Sequence, residues 1–350
     1  MIDFSKIFLN ARPMLDVRAP VEFANGAFPS ATNIPILDDE QRHQVGICYM
    51  EQGAVAAEEL GHELVGDDKA KLLERWQGFI ADHPDAVLYC ARGGRRSQLA
   101  ALWLEQAGTK IQRIPGGYKA LRNFLLQQVE NPPPIVLLSG KTGVGKTELL
   151  PRIKNAVDLE GLANHRGSAF GAYRTPQPAQ IDFENALAVA FLRQPEFVVL
   201  EDESRLIGKI NLPVPLQAAM KEAPICLLED TLENRVWRIQ REYVELPLET
   251  TSPQEVLASL LGSVDAIKNR LGGVRHKALV SDLIEAFRAQ EQNDTSQHAI
   301  WIEKLLTEYY DPMYEYQLDK KRQRIVETLH WRDLSEAQTL DLSPHTAKVL

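Results

Sequence analysis

The stretch "IVLLSGKTGVGKTELL" at 135–150 constrains this chain more than any other, because it joins an apolar run to a glycine-rich loop and a helix-forming run. Residues 140–147 match G-x-x-x-x-G-K-[ST] in full, and the flanking strand and helix patterns supply the context that this motif requires. The loop amides are expected to hold a phosphate chain, with the charge of Lys146 on its terminal phosphates and Thr147 as the ligand of any Mg²⁺ that takes part. The residues assigned to this loop are Gly140, Gly143, Gly145, Lys146 and Thr147.

A second feature, an acidic strand end, accompanies the phosphate-binding loop. The string "VVLEDES" at 198–204 has the pattern of an apolar strand that ends in acids, as the strand next to a phosphate-binding loop often does. We expect Glu201 or Asp202 to polarise Mg²⁺ or water there. The alternative is that these are the ordinary acids of a strand that ends at the surface. The sequence leaves the metal requirement open, and it contains no GTPase base-reading string of the N-K-x-D kind.

The chain of 350 residues is too long for one ordinary core, and "ENPPP" at 130–134 marks a seam that no helix can continue through. Before it, "PMLDVR" at 13–18 and "AVLYC" at 86–90 predict buried parallel strands. The predicted organisation is an α/β domain at 1–128, a proline-rich linker at 129–134, a parallel α/β domain with the phosphate-binding loop at 135–250, and a helical C-terminal region at 251–350.

Charge and composition exclude several classes of protein. A net charge of −9 argues against a chain that coats nucleic acid non-specifically, although Arg235, Arg238 and Arg241 lie at helical spacing and form either a local basic face or a solvated one. No basic leader precedes an apolar stretch, and no apolar run approaches the roughly 20 residues of a membrane span, so we expect a cytoplasmic protein without membrane association. No tightly bound cofactor is expected.

Of the three cysteines, Cys90 stands out, because "YCARGGRRSQ" at 89–98 sets it at the end of a predicted strand and follows it with arginines and two glycines. The glycines permit a sharp turn, and converging amides with nearby cations stabilise a thiolate. We predict that Cys90 is a nucleophile; the alternative is a buried structural cysteine. The spacing from Cys90 to Arg96 also fits the Cys-x5-Arg loop of cysteine phosphatases. The residues assigned to this site are Cys90, Arg92, Arg95 and Arg96.

Two further stretches, "LDVRAPVEFANGAFPSATNIP" at 15–35 and "PGGYKALR" at 115–122, resemble the rhodanese pattern, with Ala27 where that family commonly has His. Under this resemblance Asp16, Arg18 and Glu22 are scaffold residues. The expected fold class is a rhodanese-like α/β domain, followed by a P-loop NTPase-like parallel α/β domain with a helical C-terminal region.

The pairing of these two modules resembles the bacterial tRNA 2-selenouridine synthases. The matching strings are "CARGGRRS" at 90–97, "GKTGVGKTELL" at 140–150, "DLEGLANHRGSAFG" at 158–171, "FEN" at 183–185 and "EDESRLIG" at 201–208. In the third of them, His165, Arg166 and Ser168 are candidates for binding substrate, since His and Arg side by side bind phosphate or a base. A plain Ser and Gly loop is the alternative.

The resemblance implies a transferase that acts on the thiolated wobble uridine of tRNAs of the lysine, glutamate and glutamine type. It implies geranyl diphosphate and selenophosphate as co-substrates: the sulfur is first geranylated and then replaced by selenium, with Cys90 as either a selenium carrier or a nucleophile. The strings "WRIQREY" at 237–243 and "EYYDPMYEYQLDKKRQR" at 308–324 are candidates for RNA contact, or their aromatic residues belong to the core.

Two other classes of function remain open from the sequence. One is a nucleotide-dependent rhodanese-type sulfurtransferase or kinase that acts on a small molecule. The other is a non-catalytic, nucleotide-gated RNA-binding module in which Cys90 is inert. The oligomeric state is not indicated.

Overall fold

The computed structural model describes residues 2–335 and 338–343. The chain forms two compact units. The first contains the chain up to Asn131 together with Pro178–Arg193, and the second contains Pro132–Gln177 together with the chain from Gln194 onward. A segment that the sequence analysis placed in the second domain is therefore part of the first unit.

The strands are short and almost all parallel. In chain order they are β1 (Met14–Asp16), β2 (Ala31–Asn33), β3 (Val87–Tyr89), β4 (Gln112–Arg113), β5 (Ile135–Ser139), β6 (Ala156–Val157), β7 (Val198–Glu201), β8 (Leu206–Ile207), β9 (Ile210–Asn211), β10 (Ile225–Glu229) and β11 (Ile325–His330).

Helices account for most of the regular structure. They are α1 (Phe4–Leu9), α2 (Pro20–Ala24), α3 (Asp39–Gln52), α4 (Ala54–Val65), α5 (Lys69–Asp82), α6 (Arg95–Gln106), α7 (Gly117–Glu130), α8 (Lys146–Leu149), α9 (Leu159–Ala163), α10 (Gln180–Arg193), α11 (Val214–Glu222), α12 (Leu232–Gln240), α13 (Leu246–Leu248), α14 (Pro253–Ala266), α15 (Lys268–Leu271), α16 (Gly273–Gln290), α17 (His298–Leu305) and α18 (Asp311–Asp319). None of the helices in the described part of the chain has the length and apolar character of a membrane span.

The first unit is built on a parallel sheet in the order β2-β1-β3-β4. The strands predicted at 13–18 and 86–90 are confirmed as β1 and β3, which pair with Leu15 opposite Leu88. Their side chains are buried because helices cover both faces of the sheet. One face packs around Trp76 and Trp103, and the other around Phe8 and its aliphatic neighbours.

Helix α10 completes the second of these faces. Asn185 is fully buried; it accepts a hydrogen bond from Arg122 Nη1 at 2.7 Å and donates one to the carbonyl of Ala27 at 2.6 Å. Asp182 accepts the N–H of Ala27 at 2.6 Å, so both backbone groups at the position where rhodaneses commonly have His are bonded to α10. Phe183 is also fully buried. The "FEN" string at 183–185 is thus a packing motif of the first unit.

The second unit is built on a parallel sheet in the order β11-β10-β5-β7-β6, with β8 and β9 as a separate antiparallel ribbon. Strand β5 lies between β10 and β7, so the phosphate-binding loop that follows it opens at the middle of the carboxyl edge of the sheet. Ligands of open parallel sheets bind at this edge. Helix α8 is a single turn, because Pro151 in the next turn lacks the N–H that would continue it.

The C-terminal region is helical from α14 to α18, and a β-strand follows these helices. Strand β11, which the sequence analysis did not predict, pairs with β10 as the edge strand of the sheet. Its sequence "IVETLH" lies between charged residues and alternates only weakly, with Leu329 its one fully buried side chain. Half-exposed edge strands carry little of the apolar signal that identifies a central strand.

Replacing Asn185 with Ala should lower the free energy of unfolding of the first unit by about 2 kcal/mol, because the carbonyl of Ala27 and one donor of Arg122 lose buried partners. Urea unfolding would give the loss, and hydrogen–deuterium exchange would place it in α7 and α10. Arg193→Ala, at the exposed end of the same helix, should change stability by less than about 0.5 kcal/mol. Equal midpoints for the two variants would contradict the role given to Asn185.

Candidate functional site

The predicted nucleophile, Cys90, follows β3 directly and precedes α6. Its side chain is buried, with 3% of the residue exposed, and its Sγ lies 3.3 Å from the hydroxyl of Ser97 and 3.9 Å from the carbonyl of Gly94. Ser97 is itself fully buried and donates to the carbonyl of Gly94 at 3.1 Å. The sulfur is therefore held by the first turn of α6, at the carboxyl edge of the sheet.

Two glycine turns pack against each other to form the Cys90 loop. A Cβ on Gly93 would lie 2.6 Å from the amide nitrogen of Gly116, and one on Gly117 would lie 2.1 Å from the carbonyl oxygen of Cys90. Both glycines have positive φ, +64° and +55°. The N–H of Tyr118 then donates to the carbonyl of Cys90 at 2.8 Å, so the loop carbonyl is turned toward α7. The Gly-Gly string at 116–117 is thus required by close backbone packing.

The scaffold roles implied for Asp16, Arg18 and Glu22 agree with the structure. Arg18 and Asp16 form a buried ion pair, and the Arg18 guanidinium lies 3.9 Å from the ring centre of Tyr118. Glu22 pairs with Arg96 and also accepts the N–H of Ala19. Burial would raise the pKa of Glu22, but Arg96 outweighs it and the pKa is lowered.

The three arginines of the loop differ in their surroundings. Arg96 is near enough to Cys90 for their charges to interact, while Glu22 fixes its direction. Arg95 instead pairs with Glu58 of α4, with Nε 2.6 Å from Oε2, and Arg92 is exposed. A cation that the sequence analysis did not single out, Arg113 of β4, donates to the carbonyl of Gly93 at 3.3 Å. Of the three assigned arginines, Arg96 is therefore the one that lies beside the Cys90 sulfur.

In the second unit, side chains from other segments bind the carbonyls of the phosphate-binding loop. Arg235 donates to the carbonyl of Thr142 at 2.9 Å, and the indole N–H of Trp331 donates to the carbonyl of Val144. Arg238 lies over the Trp331 ring at 4.7 Å and is held by ion pairs to Asp230 and Glu148. These contacts fix the loop backbone through the carbonyls of Thr142 and Val144.

Arg235 is 3% exposed and forms a bidentate ion pair with Asp311, at 3.0 and 2.6 Å. The interpretation of Arg235, Arg238 and Arg241 as a solvated face is thus wrong for Arg235, whose partners come from distant parts of the chain. Helical spacing alone does not distinguish an arginine in water from one that clamps a loop.

The loop opens into a cavity of about 1010 Å³. One wall is polar and contains the loop itself, with Gly140, Gly143, Gly145, Lys146 and Thr147 all in the lining. The wall that comes from the helices beyond residue 235 contains both apolar and charged side chains. Its apolar members include Ile239, Leu246, Tyr309, Tyr310, Met313 and Leu318, and its charged and polar members include Arg238, Arg241, Glu242, Arg270 and Gln317. Part of this wall is made by π-helical turns at Arg241–Glu245 and Leu306–Tyr310, a local geometry that is frequent at functional sites.

Acidic side chains lie close to the phosphate-binding loop. Glu201 is fully buried at the end of β7, where its Oε2 accepts the N–H groups of Leu159 and Glu160 at 2.8 and 3.2 Å. Burial raises the pKa of Glu201 to about 8, and burial together with the neighbouring Glu201 and Glu203 raises that of Glu160 well above its usual value. These two carboxyls are therefore largely protonated near pH 7, and they do not repel an anion in the cavity.

Asp202, the second acid assigned to this strand end, faces the cavity and is already paired. Both of its carboxylate oxygens contact Lys321 Nζ, at 2.7 and 3.0 Å, and its Oδ2 accepts the Ser139 hydroxyl at 2.8 Å. The Tyr314 hydroxyl lies 3.1 Å from that of Ser139. Lys321 lies in the "KKRQR" run at 320–324, whose sequence gives no indication of a partner so far away in the chain.

The candidates in the 158–171 string have different positions. Arg166 and Ser168 line the cavity, and Arg166 pairs with Glu242 while its guanidinium lies 4.4 Å from the centre of the Tyr173 ring. His165 is held by backbone bonds, its N–H donating to the carbonyl of Glu160 at 3.0 Å, and burial lowers the pKa of its ring. The string thus contributes Arg166 and Ser168 to the cavity wall.

The aromatic residues proposed to contact RNA fall into two groups. Tyr309 and Tyr310 are each 8% exposed and belong to the helical core. Trp237 and Tyr316 are 53% and 62% exposed, and each carries a cation beside its ring: Arg241 at 5.4 Å and Lys320 at 3.9 Å. The exposed group has ring surface in solvent beside a cation, which suits stacking on a base and contact with its phosphate.

Comparison with known proteins agrees with both modules. Residues 4–123 match the rhodanese-like domain family, and residues 133–341 match the family described as the tRNA 2-selenouridine synthase AAA domain. A Marinobacter nauticus protein named tRNA 2-selenouridine synthase is 48% identical over 341 residues, which cover 93% of each chain. Proteins of the same name from Sulfurovum sp. and Pseudomonas fluorescens are 47% and 48% identical, over 93% and 92% of this chain.

A solved structure, the N-terminal domain of a putative ATP/GTP binding protein from Clostridium difficile, is 30% identical and covers 33% of this chain and 90% of its own, with a TM-score of 0.32, too low to support a conclusion. The family matches and the full-length relatives are decisive, and they agree with the sequence-based expectation of a rhodanese-like domain followed by a P-loop α/β domain. The chain belongs to the tRNA 2-selenouridine synthase family.

Proposed function

We propose that this enzyme geranylates the sulfur of 2-thiouridine at the wobble position of tRNA, using geranyl diphosphate, and then replaces the geranylated sulfur with selenium from selenophosphate to give 2-selenouridine. The relatives carry the name of an enzyme that forms 2-selenouridine in tRNA. The observation that carries the geranylation step is the cavity of the second unit, where a phosphate-binding loop and a set of apolar side chains line the same space.

This combination suits an anionic head with an apolar tail. The loop amides and Lys146 would hold the diphosphate, while the wall around Ile239, Met313 and Tyr310 would take the hydrocarbon chain. Apolar burial of an isoprenoid contributes about 0.8 kcal/mol per CH₂ group, which favours a prenyl donor over inorganic phosphate.

The bond changes follow from this arrangement. The thiouridine sulfur attacks C1 of the prenyl group, the C1–O bond breaks, and diphosphate leaves with its electron pair while the base loses its N3 proton to solvent. Lys146 and the loop amides stabilise the charge that develops on the leaving group, as preorganised donors do in other transfer reactions. Alkylation also makes the sulfur a better leaving group for the second step.

Selenium entry is assigned to the first unit. Cys90 is held at a strand end with Ser97 and Arg96 beside it, which supports a sulfur that attacks the phosphorus of selenophosphate and breaks the P–Se bond. The released selenide would add to C2 of the geranylated base and expel geranylthiol, and water would hydrolyse the phosphocysteine to phosphate. In this scheme the cysteine acts after the prenyl group has been added. Recognition of the tRNA is assigned in part to the exposed rings of Trp237 and Tyr316 with their neighbouring cations.

The two steps should separate by mutation. Lys146→Ala is expected to lower prenylation of thiolated tRNA by about 10²- to 10³-fold, the effect of removing one strong donor to a developing charge. Cys90→Ala should leave prenylation intact and block selenium entry. Mass spectrometry of the wobble nucleoside, after incubation with geranyl diphosphate alone and then with selenophosphate, measures both.

The matched controls are Lys154→Ala, an exposed lysine of the same unit, and Cys48→Ala, a buried cysteine in α3. Both should retain the two steps. Selenouridine formed at the normal rate by Cys90→Ala would contradict the role of the sulfur, and prenylation by Lys146→Ala at the normal rate would contradict that of the loop.

Diphosphate binding should weaken as the pH rises above about 8. The raised pKa values keep Glu201 and Glu160 largely neutral at pH 7. Above those values each gains a negative charge, Glu160 in the cavity lining and Glu201 in the buried position that accepts the N–H of Glu160. Affinity should therefore fall by up to about tenfold per pH unit for each carboxyl that ionises. Calorimetric titration with inorganic pyrophosphate from pH 6.5 to 9.5 tests this.

Glu160→Gln, which cannot ionise, should flatten this decline, whereas Glu196→Gln, at an exposed position of the same unit, should leave it unchanged. A wild-type affinity that stays constant or rises over the range would show that these carboxyls do not face the anion.

A further inference from the structure

We infer that Lys321 takes the place of a divalent cation beside the phosphate-binding loop: it neutralises Asp202 and donates to the diphosphate, so that diphosphate binding does not depend on Mg²⁺. This inference rests on the proposed function only in placing a diphosphate in the loop. It concerns the chemistry of the acidic strand end, where the sequence analysis expected Glu201 or Asp202 to polarise Mg²⁺ or water and left the metal requirement open.

The contacts of Asp202 leave little capacity for a metal. Its two carboxylate oxygens are 2.7 and 3.0 Å from the ammonium nitrogen of Lys321, and the side chain of Asp202 is 10% exposed. One oxygen also accepts the hydroxyl of Ser139. Because Ser139 has a single proton and gives it to Asp202, the hydroxyl of Tyr314, 3.1 Å away, donates to Ser139 in turn.

The other acid of the strand end does not supply a metal ligand either. Glu201 is fully buried, its Oε2 is bonded to two backbone N–H groups, and its raised pKa keeps it largely protonated near neutral pH. Mg²⁺ requires near-octahedral oxygen ligands at about 2.0–2.1 Å, and an ammonium group already bonded to the same carboxylate repels it. In the described residues no group of three or more His, Cys, Asp or Glu side chains is arranged to hold a metal. The residues at this position therefore fit an internal ammonium group and not a metal bound by Asp202.

Lys321 is placed to do more than neutralise an acid. It lines the same cavity as Lys146 and the loop glycines, and its side chain is 30% exposed. An ammonium group has three N–H donors, of which Asp202 occupies at most two. The remaining donor would be available to a diphosphate in the cavity that Lys321 and Lys146 both line. The two lysines would then share the negative charge that a nucleotide-binding site of this type divides between one lysine and Mg²⁺.

Calorimetric titration of the full-length protein with inorganic pyrophosphate, in excess EDTA and in millimolar Mg²⁺, tests the inference without any variant. The wild type should bind with the same affinity in both. Binding that is lost in EDTA and recovered in Mg²⁺ would overturn it. A wild type that binds pyrophosphate in neither condition would overturn both this inference and the proposed function, whereas dependence on Mg²⁺ alone leaves the proposed function standing.

Variants at the lysine give a second readout. Lys321→Ala should bind pyrophosphate about tenfold or more weakly in EDTA, the loss of one hydrogen bond to a charged group, and should recover part of this affinity in Mg²⁺ because Asp202 becomes free. The double variant Lys321→Ala, Asp202→Asn should lose that recovery. A merely structural role for Lys321 would not produce sensitivity to Mg²⁺.

Two further variants distinguish the loss of the Lys321 ammonium group from a loss of the fold. Lys321→Arg keeps the positive charge and should retain metal-free binding, and Lys154→Ala removes an exposed lysine of the same unit that does not line the cavity and should not affect binding. Thermal unfolding identifies any variant that has lost its fold. Wild-type affinity of a folded Lys321→Ala protein in EDTA would overturn the inference.

Discussion

The second unit depends on the way its phosphate-binding loop is held from outside. Arg235 binds the carbonyl of Thr142 and Trp331 binds the carbonyl of Val144. These two side chains lie about 90 and 190 residues further along the chain than the loop. Arg235 can be buried because Asp311 neutralises it with two hydrogen bonds. An unpaired buried guanidinium would be strongly destabilising. Loop geometry, ion pair and the position of α18 are therefore one linked arrangement, and the helical region is part of the anion site.

The features that the sequence predicts are the ones encoded locally. The phosphate-binding loop, strands β1, β3, β5, β7 and β10, and the glycine turn after Cys90 each follow from a few adjacent residues whose chemistry has one reading. The same holds for Arg18, whose partner Asp16 is two residues away. In these places a motif and its structure occupy the same short stretch of chain.

The features that the sequence does not predict depend on distant partners. Lys321 lies in a basic run that looks solvated, yet its contact is Asp202, more than a hundred residues earlier. Arg235 has the spacing of an exposed helix face, and β11 is an edge strand with a weak alternating pattern. Neither periodicity nor composition carries information about which distant residue a charge will meet, so these parts of the site become visible only in the folded chain.

Helix α10 has a consequence for the order of events during synthesis. The chain leaves the first unit after Asn131, returns for Pro178–Arg193, and leaves again. Domains emerging from a ribosome generally fold as units, the N-terminal one first. Here the first unit cannot bury Asn185 or satisfy Ala27 until residue 193 has been made, by which time the phosphate-binding loop already exists. The nascent rhodanese-like unit therefore stays unfinished while Pro132–Gln177 of the second unit is being translated, and its folding cannot be complete before synthesis of its successor begins.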